Sequence, residues 1–284
     1  MARRISMVRW LRHVEDEAMG TTAIERVLRH DRAIVAGGLL VVVALCWAYL
    51  LSGAGVMGGV SDASMSMGMD MGVEGASWTP GYALLMLLMW VVMMAAMMLP
   101  GVAPMLLLFT AITARRGAGQ RRTIATGAFA LGYIVTWAVF SLAAVALQFV
   151  LESTALLSPM MRTTHAALAG VTLIAAGIYQ WTPLKRACLQ HCRSPLDFVL
   201  THWREGTRGA FEMGLRHGTY CVGCCWALML LLFVVGVMNL AWIAGLAIFV
   251  LVEKFAPAGP WLERGVGVAL MAWGLAILAM AVHF

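Results

Sequence analysis

The chain has 284 residues, of which 62% are hydrophobic and 12% are charged. Soluble domains carry about 25% charged residues, so this composition excludes a soluble globular protein and predicts an all-α, polytopic membrane protein. The net charge of +6 does not indicate a nucleic-acid partner, because the basic residues lie between apolar runs, where they set membrane orientation.

The chain divides into four predicted regions. Residues 1–32 are a basic N-terminal segment, either a short amphipathic helix on the membrane surface or a solvated tail. The apolar run at 33–52 is predicted to be a retained first transmembrane helix, because no small-residue cleavage site follows a signal-like stretch. Residues 53–81 form a Met-rich extracytoplasmic loop, and 82–284 a six-helix membrane domain that binds metal.

Seven apolar spans are predicted in chain order. A straight helix crosses the hydrocarbon core in roughly 20 residues. The second span is longer than that, and Pro100 and Pro104 predict a kink within it. The short sixth span is expected to pair with the fifth as a hairpin that turns at 236–239. The spans are 33–52, 82–112, 123–150, 164–182, 215–236, 240–253 and 265–283.

Lys and Arg residues predict the orientation. The 113–122 segment carries four Arg and the 183–213 loop carries five basic residues, whereas 53–81 carries none. By the positive-inside rule, the N-terminus and the 183–213 loop are cytoplasmic, and the 53–81 loop and the C-terminus are extracytoplasmic. The predicted location is the bacterial cytoplasmic (inner) membrane.

Methionines mark two predicted metal-binding regions. In the outer loop, four of them alternate with small or acidic residues and have nothing to pack against, so their thioethers are predicted to capture copper(I). The alternative is a biased loop without function. In the second span, four more share one helical face and could extend this route, although such a stripe alone is more often core packing. These residues are Met65, Met67, Met69 and Met71 in the loop, and Met86, Met89, Met93 and Met97 in the span.

Two cysteine clusters give the strongest signal. In each cluster, one cysteine pair is spaced i, i+4 and shares a helical face. The cytosol keeps thiols reduced, so a thiolate and imidazole site is predicted, for copper(I) first and zinc second. Nearby basic loop residues are expected to favour the thiolate form. The alternative is that the cysteines pack as small hydrophobes. The candidate ligands are Cys188, His191, Cys192, His217, Cys221, Cys224 and Cys225.

Other polar residues in the second half of the chain have simpler expected roles. His202, beside Trp203, is predicted to contact lipid headgroups. Glu253 and Lys254 close the sixth span, and adjacent opposite charges there are expected to pair locally or with the loop arginines.

Two stretches resemble a known family. They are Pro183-Leu184-Lys185-x2-Cys188-Leu189-x2-Cys192 and His217-Gly218-x-Tyr220-Cys221-Val222-Gly223-Cys224-Cys225-Trp226. Both are similar to motifs of a bacterial family of predicted metal-binding integral membrane proteins, a domain of unknown function. The resemblance covers about 80–280 and implies metal binding in the membrane, without a defined activity.

Three functions are compatible with this pattern. The first is copper(I) handling, most simply inward transport from the Met-rich loop to the cysteines. The second is a membrane accessory or assembly factor that holds copper or zinc for a partner protein. The third is a membrane dithiol redox protein. No catalytic triad or nucleotide motif is visible, so no enzyme is predicted. The expected partners are the lipid bilayer and the metal ion, with a protein partner or a homo-oligomer left open.

Overall fold

The computed structural model describes residues 33–52, 78–115, 121–158, 161–256 and 259–283. This part of the chain is all-helical and contains no strand, so the predicted all-α class is confirmed for it; an isolated β-bridge joins Leu157 and Thr163. The predicted segment 1–32 and the loop methionines Met65, Met67, Met69 and Met71 lie outside the described residues.

Ten helices make up the described part of the chain. The sequence explains where several of these helices begin. Pro183 is the first residue of its helix, a position where the N–H that proline lacks would have no partner within the helix. Another helix begins after Asn239, whose side chain accepts a hydrogen bond from the Trp242 N–H. The helices are α1 (Ala33–Leu51), α2 (Pro80–Arg115), α3 (Arg121–Ser153), α4 (Ala166–Tyr179), α5 (Pro183–Arg193), α6 (Pro195–His202), α7 (Gly206–Leu230), α8 (Leu232–Val235), α9 (Leu240–Phe255) and α10 (Gly259–His283).

Five of the described helices are long and apolar enough to cross a membrane. Helices α4 and α5 add a sixth span if they are taken together, with a bend of 63° between them. Helix α9, with 16 residues, is shorter than the roughly 20 that a straight crossing needs. The count of seven spans therefore stays a prediction. The five are α1, α2, α3, the stretch formed by α7 and α8, and α10.

Helix α2 runs without interruption through both of its prolines. At 36 residues it is about 54 Å long, so it extends well beyond one hydrocarbon core. Gly101, between the prolines, faces Lys254 of α9: a Cβ there would lie 2.8 Å from the Lys254 Nζ. The proline segment is thus where α9 brings its charged end against α2.

The 183–213 segment, predicted to be a cytoplasmic loop between spans, is largely helical, and its cytoplasmic location stays a prediction. It consists of the short helices α5 and α6 and the start of α7, which begins at Gly206 rather than at 215. Proline at the first position of both short helices favours this local structure. The predicted turn between the fifth and sixth spans is confirmed, because α8 ends at Gly236 (φ 113°) and α9 begins after Asn239.

Glycines allow the central helices to approach closely. Helix α3 packs against α7 more extensively than against any other described helix. A Cβ on Gly214 of α7 would lie 2.0 Å from the Phe129 carbonyl oxygen, and one on Gly132 of α3 would lie 2.3 Å from that of Phe211. Helix α5 packs on α7 at the same time. Helix α7 is therefore held between α3 and α5, which fixes the position of its cysteines.

Candidate metal centre

The two cysteine clusters meet where α5 packs on α7. The thiol of Cys221 interacts with those of Cys192, Cys224 and Cys225, and Cys192 also interacts with Cys224. The three α7 cysteines are at most 1% exposed, and every cysteine of the chain is a free thiol. Residues separated by about 30 positions in the sequence thus form one thiol group, here called the thiol cluster, consisting of Cys188, Cys192, Cys221, Cys224 and Cys225.

Cys188 forms the outer edge of the thiol cluster. It lies one turn before Cys192 on α5 and is partly exposed. Its Sγ rests against Gly223 of α7, where a Cβ would approach it to 2.7 Å, and it is close enough to Cys224 for an electrostatic interaction. The Tyr179 hydroxyl donates to the Gly223 carbonyl and so holds α4 to the same point of α7.

The thiol cluster lies inside the helix bundle rather than at a helix end. Cys221 follows Gly206, the first residue of α7, by 15 positions, which places it about 22 Å along the helix. The thiols of Cys224 and Cys225 donate to the Cys221 carbonyl oxygen at 3.1 and 3.0 Å. Within the described ranges, no three His, Cys, Asp or Glu side chains stand arranged to hold a metal ion. The thiols therefore lie close together, but those of Cys224 and Cys225 are hydrogen-bonded to a backbone carbonyl rather than directed at a common point.

A lysine and a tyrosine contact the central thiol. The Lys254 Nζ donates to the Cys221 Sγ at 3.0 Å. The Tyr133 hydroxyl lies 3.1 Å from the same Sγ and donates to the Met98 carbonyl oxygen at 3.1 Å. Burying an ammonium group raises the free energy of the folded state unless the group is paired, and the Cys221 sulfur is a partner of Lys254. The cation beside the thiols thus comes from α9 rather than from the predicted basic loop.

Lys185, predicted to be a loop charge, is fully buried. Its ammonium pairs with the Glu253 carboxylate at 2.6 Å and also donates to the Gln180 side chain. The Glu253 carboxylate therefore pairs with a lysine rather than with the predicted loop arginines. Arg193 donates to the Glu253 backbone carbonyl at 2.8 Å and pairs with Glu263 at 3.2 Å. These contacts fasten α5 to α9 and α10.

The two predicted histidine ligands are in different environments. His217 is buried one turn before Cys221, with its ring near those of Phe129, Tyr133 and Phe198, and its Nδ1 has no hydrogen-bond partner among the described residues. His191 is partly exposed and stacks on Tyr220 with the ring centroids 4.1 Å apart. His217 thus borders the thiol cluster from inside the bundle, and His191 lies on its outer side.

The methionine stripe is buried in the core. Met86, Met89, Met93 and Met97 are at most 2% exposed, as core packing and a metal route both require. At one end, the Met86 Sδ accepts from the Gln148 amide at 3.7 Å. At the other end, the backbone carbonyl of Met98, the residue after Met97, accepts from the Tyr133 hydroxyl, which also contacts the Cys221 thiol. The helix that carries the stripe therefore runs from the Gln148 region toward the thiol cluster.

A family model described as PpoB2, copper chaperone, matches residues 87–277. The chain belongs to the PpoB2 copper chaperone family. The match includes α5 and α7, the two helices that carry the thiol cluster, and it supports the expectation that the chain handles copper. No curated protein and no solved structure matches the chain.

Reasoning from the sequence missed three buried polar residues of this PpoB2 family member: Tyr133 and Lys254 contact the Cys221 thiol, and Gln148 lies at the far end of the methionine stripe. Tyr133 and Gln148 are polar side chains within an apolar helix, and each makes a buried hydrogen bond to a side chain on another helix. Lys254 was noted only as an edge charge, although it is 7% exposed. The sequence held the same indication for all three residues: a polar group inside an apolar run needs a partner from elsewhere in the fold.

Replacing Gly223 by Ala should disturb the thiol cluster of this PpoB2 family member without removing a ligand. The new Cβ would lie 2.7 Å from the Cys188 Sγ, and a single thiol can rotate away at little cost. We expect Cys188 to react several-fold faster with a maleimide, measured by mass spectrometry, and the free energy of unfolding to change by less than about 1 kcal/mol. Gly245→Ala, which adds a Cβ with no atom within 4 Å, is the control. Equal Cys188 reactivity in both variants contradicts the assigned contact.

Proposed function

We propose that the chain is an integral membrane copper chaperone that holds copper(I) in the thiol cluster and delivers it to a protein partner. The observation that carries this proposal is the packing of α5 on α7, which sets the Cys188 Sγ against Gly223, between Cys221 and Cys224, and so brings the cysteines of both helices to one place. Two separate helices each contribute cysteines to one place. If the cysteines served only as small hydrophobic side chains, nothing would require them to meet. The description of the matching family supports the choice of copper.

The ligand chemistry favours copper(I) over zinc. Thiolates are the ligands that select copper(I), whereas structural zinc sites need four ligands in tetrahedral order. In the described part of the chain no ready-made site of three or more ligands exists. Cys221 and Cys192 offer two sulfur ligands, and Cys224 adds a third when its thiol turns away from the Cys221 carbonyl. Two or three sulfur ligands suit copper(I), which binds with low coordination numbers.

Lys254 balances the charge of such a complex. Copper(I) bound by two thiolates carries one net negative charge, and a buried net charge is strongly unfavourable unless it is paired. The Lys254 ammonium already lies 3.0 Å from the Cys221 Sγ. With this lysine present, the buried complex of metal, two thiolates and ammonium is neutral.

Membrane location and orientation are part of this proposal. Five described helices have the length and apolar composition to cross a membrane, which supports an integral protein. The charge asymmetry between segments supports a cytoplasmic N-terminus in a bacterial inner membrane. Fusing a reporter that is active only in the cytoplasm after residue 52, and separately after residue 117, tests the orientation. We expect activity only from the second fusion.

Metal analysis of purified protein tests copper binding by the thiols. The variant replaces all five residues of the thiol cluster by Ser, and Cys46→Ser, in α1 and outside the cluster, is the matched control. After anaerobic loading with copper(I) and removal of excess metal, we expect copper in the wild type and in Cys46→Ser, and its loss by about tenfold or more in the five-serine variant. Equal copper in all three proteins refutes the site.

Inward transport is a second candidate function, supported by the buried methionine stripe, whose helix runs from the Gln148 region toward the thiol cluster. Proteoliposomes that enclose a copper(I) indicator distinguish the two. Transport predicts indicator signal from the wild type and its loss when Met86, Met89, Met93 and Met97 are all replaced by Leu. A chaperone without transport gives no signal above empty vesicles, while still binding copper.

A further inference from the structure

A pair of histidines lies on the outer side of the thiol cluster. His191 of α5 and His202 of α6 have their ring centroids 6.2 Å apart, and both side chains are partly exposed. His191 is stacked on Tyr220, the residue before Cys221, and is itself the residue before Cys192. His191 therefore adjoins Cys192 directly and Cys221 through Tyr220, while the pair faces a more accessible part of the surface.

Hydrogen bonds define the tautomer of both rings. The His191 Nδ1 lies 2.8 Å from the Ala187 carbonyl oxygen, and the His202 Nδ1 lies 3.3 Å from that of Phe198. A carbonyl oxygen only accepts, so each Nδ1 carries the hydrogen and each Nε2 carries the lone pair. Thr201 agrees with this assignment: its hydroxyl donates to the Asp197 carbonyl and therefore accepts from the His202 Nδ1 at 2.7 Å.

This arrangement is the one that metal-binding histidines use. A ligating imidazole generally donates its other N–H to a backbone carbonyl or a carboxylate, which fixes the ring orientation and raises its basicity. Because a metal–imidazole bond is about 2 Å long, an ion held between two ring nitrogens separates the ring centroids by about 6 Å. The ring centroids of His191 and His202, 6.2 Å apart, are close enough for one ion to reach both rings.

We propose that His191 and His202 form a second, surface-accessible copper(I) site with two imidazole ligands, through which the ion enters and leaves the thiol cluster. Its role as an entry point rests on the proposed function, whereas metal binding by the pair does not. Neutral imidazoles bind copper(I) less tightly than thiolates, so an ion arriving at the pair moves on to the cysteines.

Buried neighbours link the pair to the interior. The Phe198 ring lies between His202 of the surface pair and the buried His217. Its centroid is 5.0 Å from that of His202 and 5.1 Å from that of His217. His217 is 2% exposed, its Nδ1 has no partner in the described part of the chain, and it lies one turn before Cys221. An unpartnered nitrogen at this depth provides the next ligand between the surface pair and the thiols.

Footprinting in the five-serine variant tests metal binding by the pair alone. Histidine modification by diethyl pyrocarbonate is followed by mass spectrometry with and without copper(I), under anaerobic conditions. We expect copper(I) to slow the modification of His191 and His202 by about fivefold or more, and to leave the exposed His165 unchanged. Equal modification of all three histidines overturns the site, whatever the thiols bind.

Loading kinetics test the entry role. The variant His191→Gln/His202→Gln and the control His165→Gln receive copper(I) from a chromophoric chelator. After weakly held metal is removed with a chelator, we expect the thiol cluster of the double variant to hold as much copper as that of the wild type, but to fill about tenfold more slowly. An unchanged rate, or a loss of final copper content, overturns the entry role. Failure of the thiol site is seen separately, as equal copper in the wild type and the five-serine variant.

Discussion

Replacing Lys185 by Met is expected to lower the free energy of unfolding by about 3–5 kcal/mol, because it leaves the Glu253 carboxylate buried without its cation. Lys185 and Glu253 are 0% and 1% exposed, and 2.6 Å separates their charged atoms. Met retains most of the volume of the lysine stem, so the loss reports charge rather than a cavity. Unfolding of the purified protein in mixed micelles of increasing denaturing detergent measures the change.

Two further variants make the result specific to the buried pair. Lys185→Met/Glu253→Leu removes both charges, and replacing a whole buried ion pair by apolar side chains is often neutral, so we expect most of the lost stability to return. Arg204→Met breaks an exposed pair with Glu212 and should cost less than about 1 kcal/mol. If Lys185→Met costs no more than Arg204→Met, the buried pair does not hold α5 to α9.

Replacing Gly214 by Ala is expected to destabilise the protein by about 3 kcal/mol, the upper part of the usual range for overpacking. The added Cβ would lie 2.0 Å from the Phe129 carbonyl oxygen. That atom belongs to the backbone of α3, so no side chain can rotate away and the two helices must separate. Since α7 carries three residues of the thiol cluster, copper binding should weaken together with stability.

Gly245→Ala provides the comparison for this second variant. Gly245 lies within α9, and a Cβ there meets no atom within 4 Å. Ala is a better helix former than Gly by up to about 1 kcal/mol, so this variant should be as stable as the wild type or more stable. A melting temperature for Gly214→Ala that equals that of Gly245→Ala would show that α3 and α7 are not in backbone contact.

The sequence predicted features that depend on local pattern. Apolar runs of 20 residues or more predicted the long helices, and the turn at Gly236 and Asn239 follows from residues that end and begin helices. The i, i+4 spacing of the cysteines predicted one helical face for each pair. The shared site of the two pairs was a hypothesis from ligand chemistry; α5 packs on α7 and brings the pairs together, while metal binding by them stays a prediction.

Features that depend on distant pairing were not predictable. Lys185 looks like a loop cation, because its partner Glu253 follows 68 residues later in the sequence. Tyr133 lies 88 residues before Cys221, and nothing in its own apolar run indicates that contact. Helices α5 and α6 have 11 and 8 residues, too few turns for periodicity to reveal them among charged residues. These contacts join residues that are far apart in the chain, and a single sequence does not show which distant residues pair.

Under the proposed function, division of the thiol cluster between α5 and α7 predicts that copper is loaded late in biogenesis. A nascent chain that has synthesised α5 but not α7 offers two of the five sulfur atoms, so we expect it to compete poorly for the ion with cellular thiols. The finished bundle offers all five, and by mass action each tenfold rise in free copper above the dissociation constant of such a site adds about 1.4 kcal/mol to the folded state. The lifetime of the protein in a cell is thereby expected to follow copper supply, with copper starvation favouring its turnover.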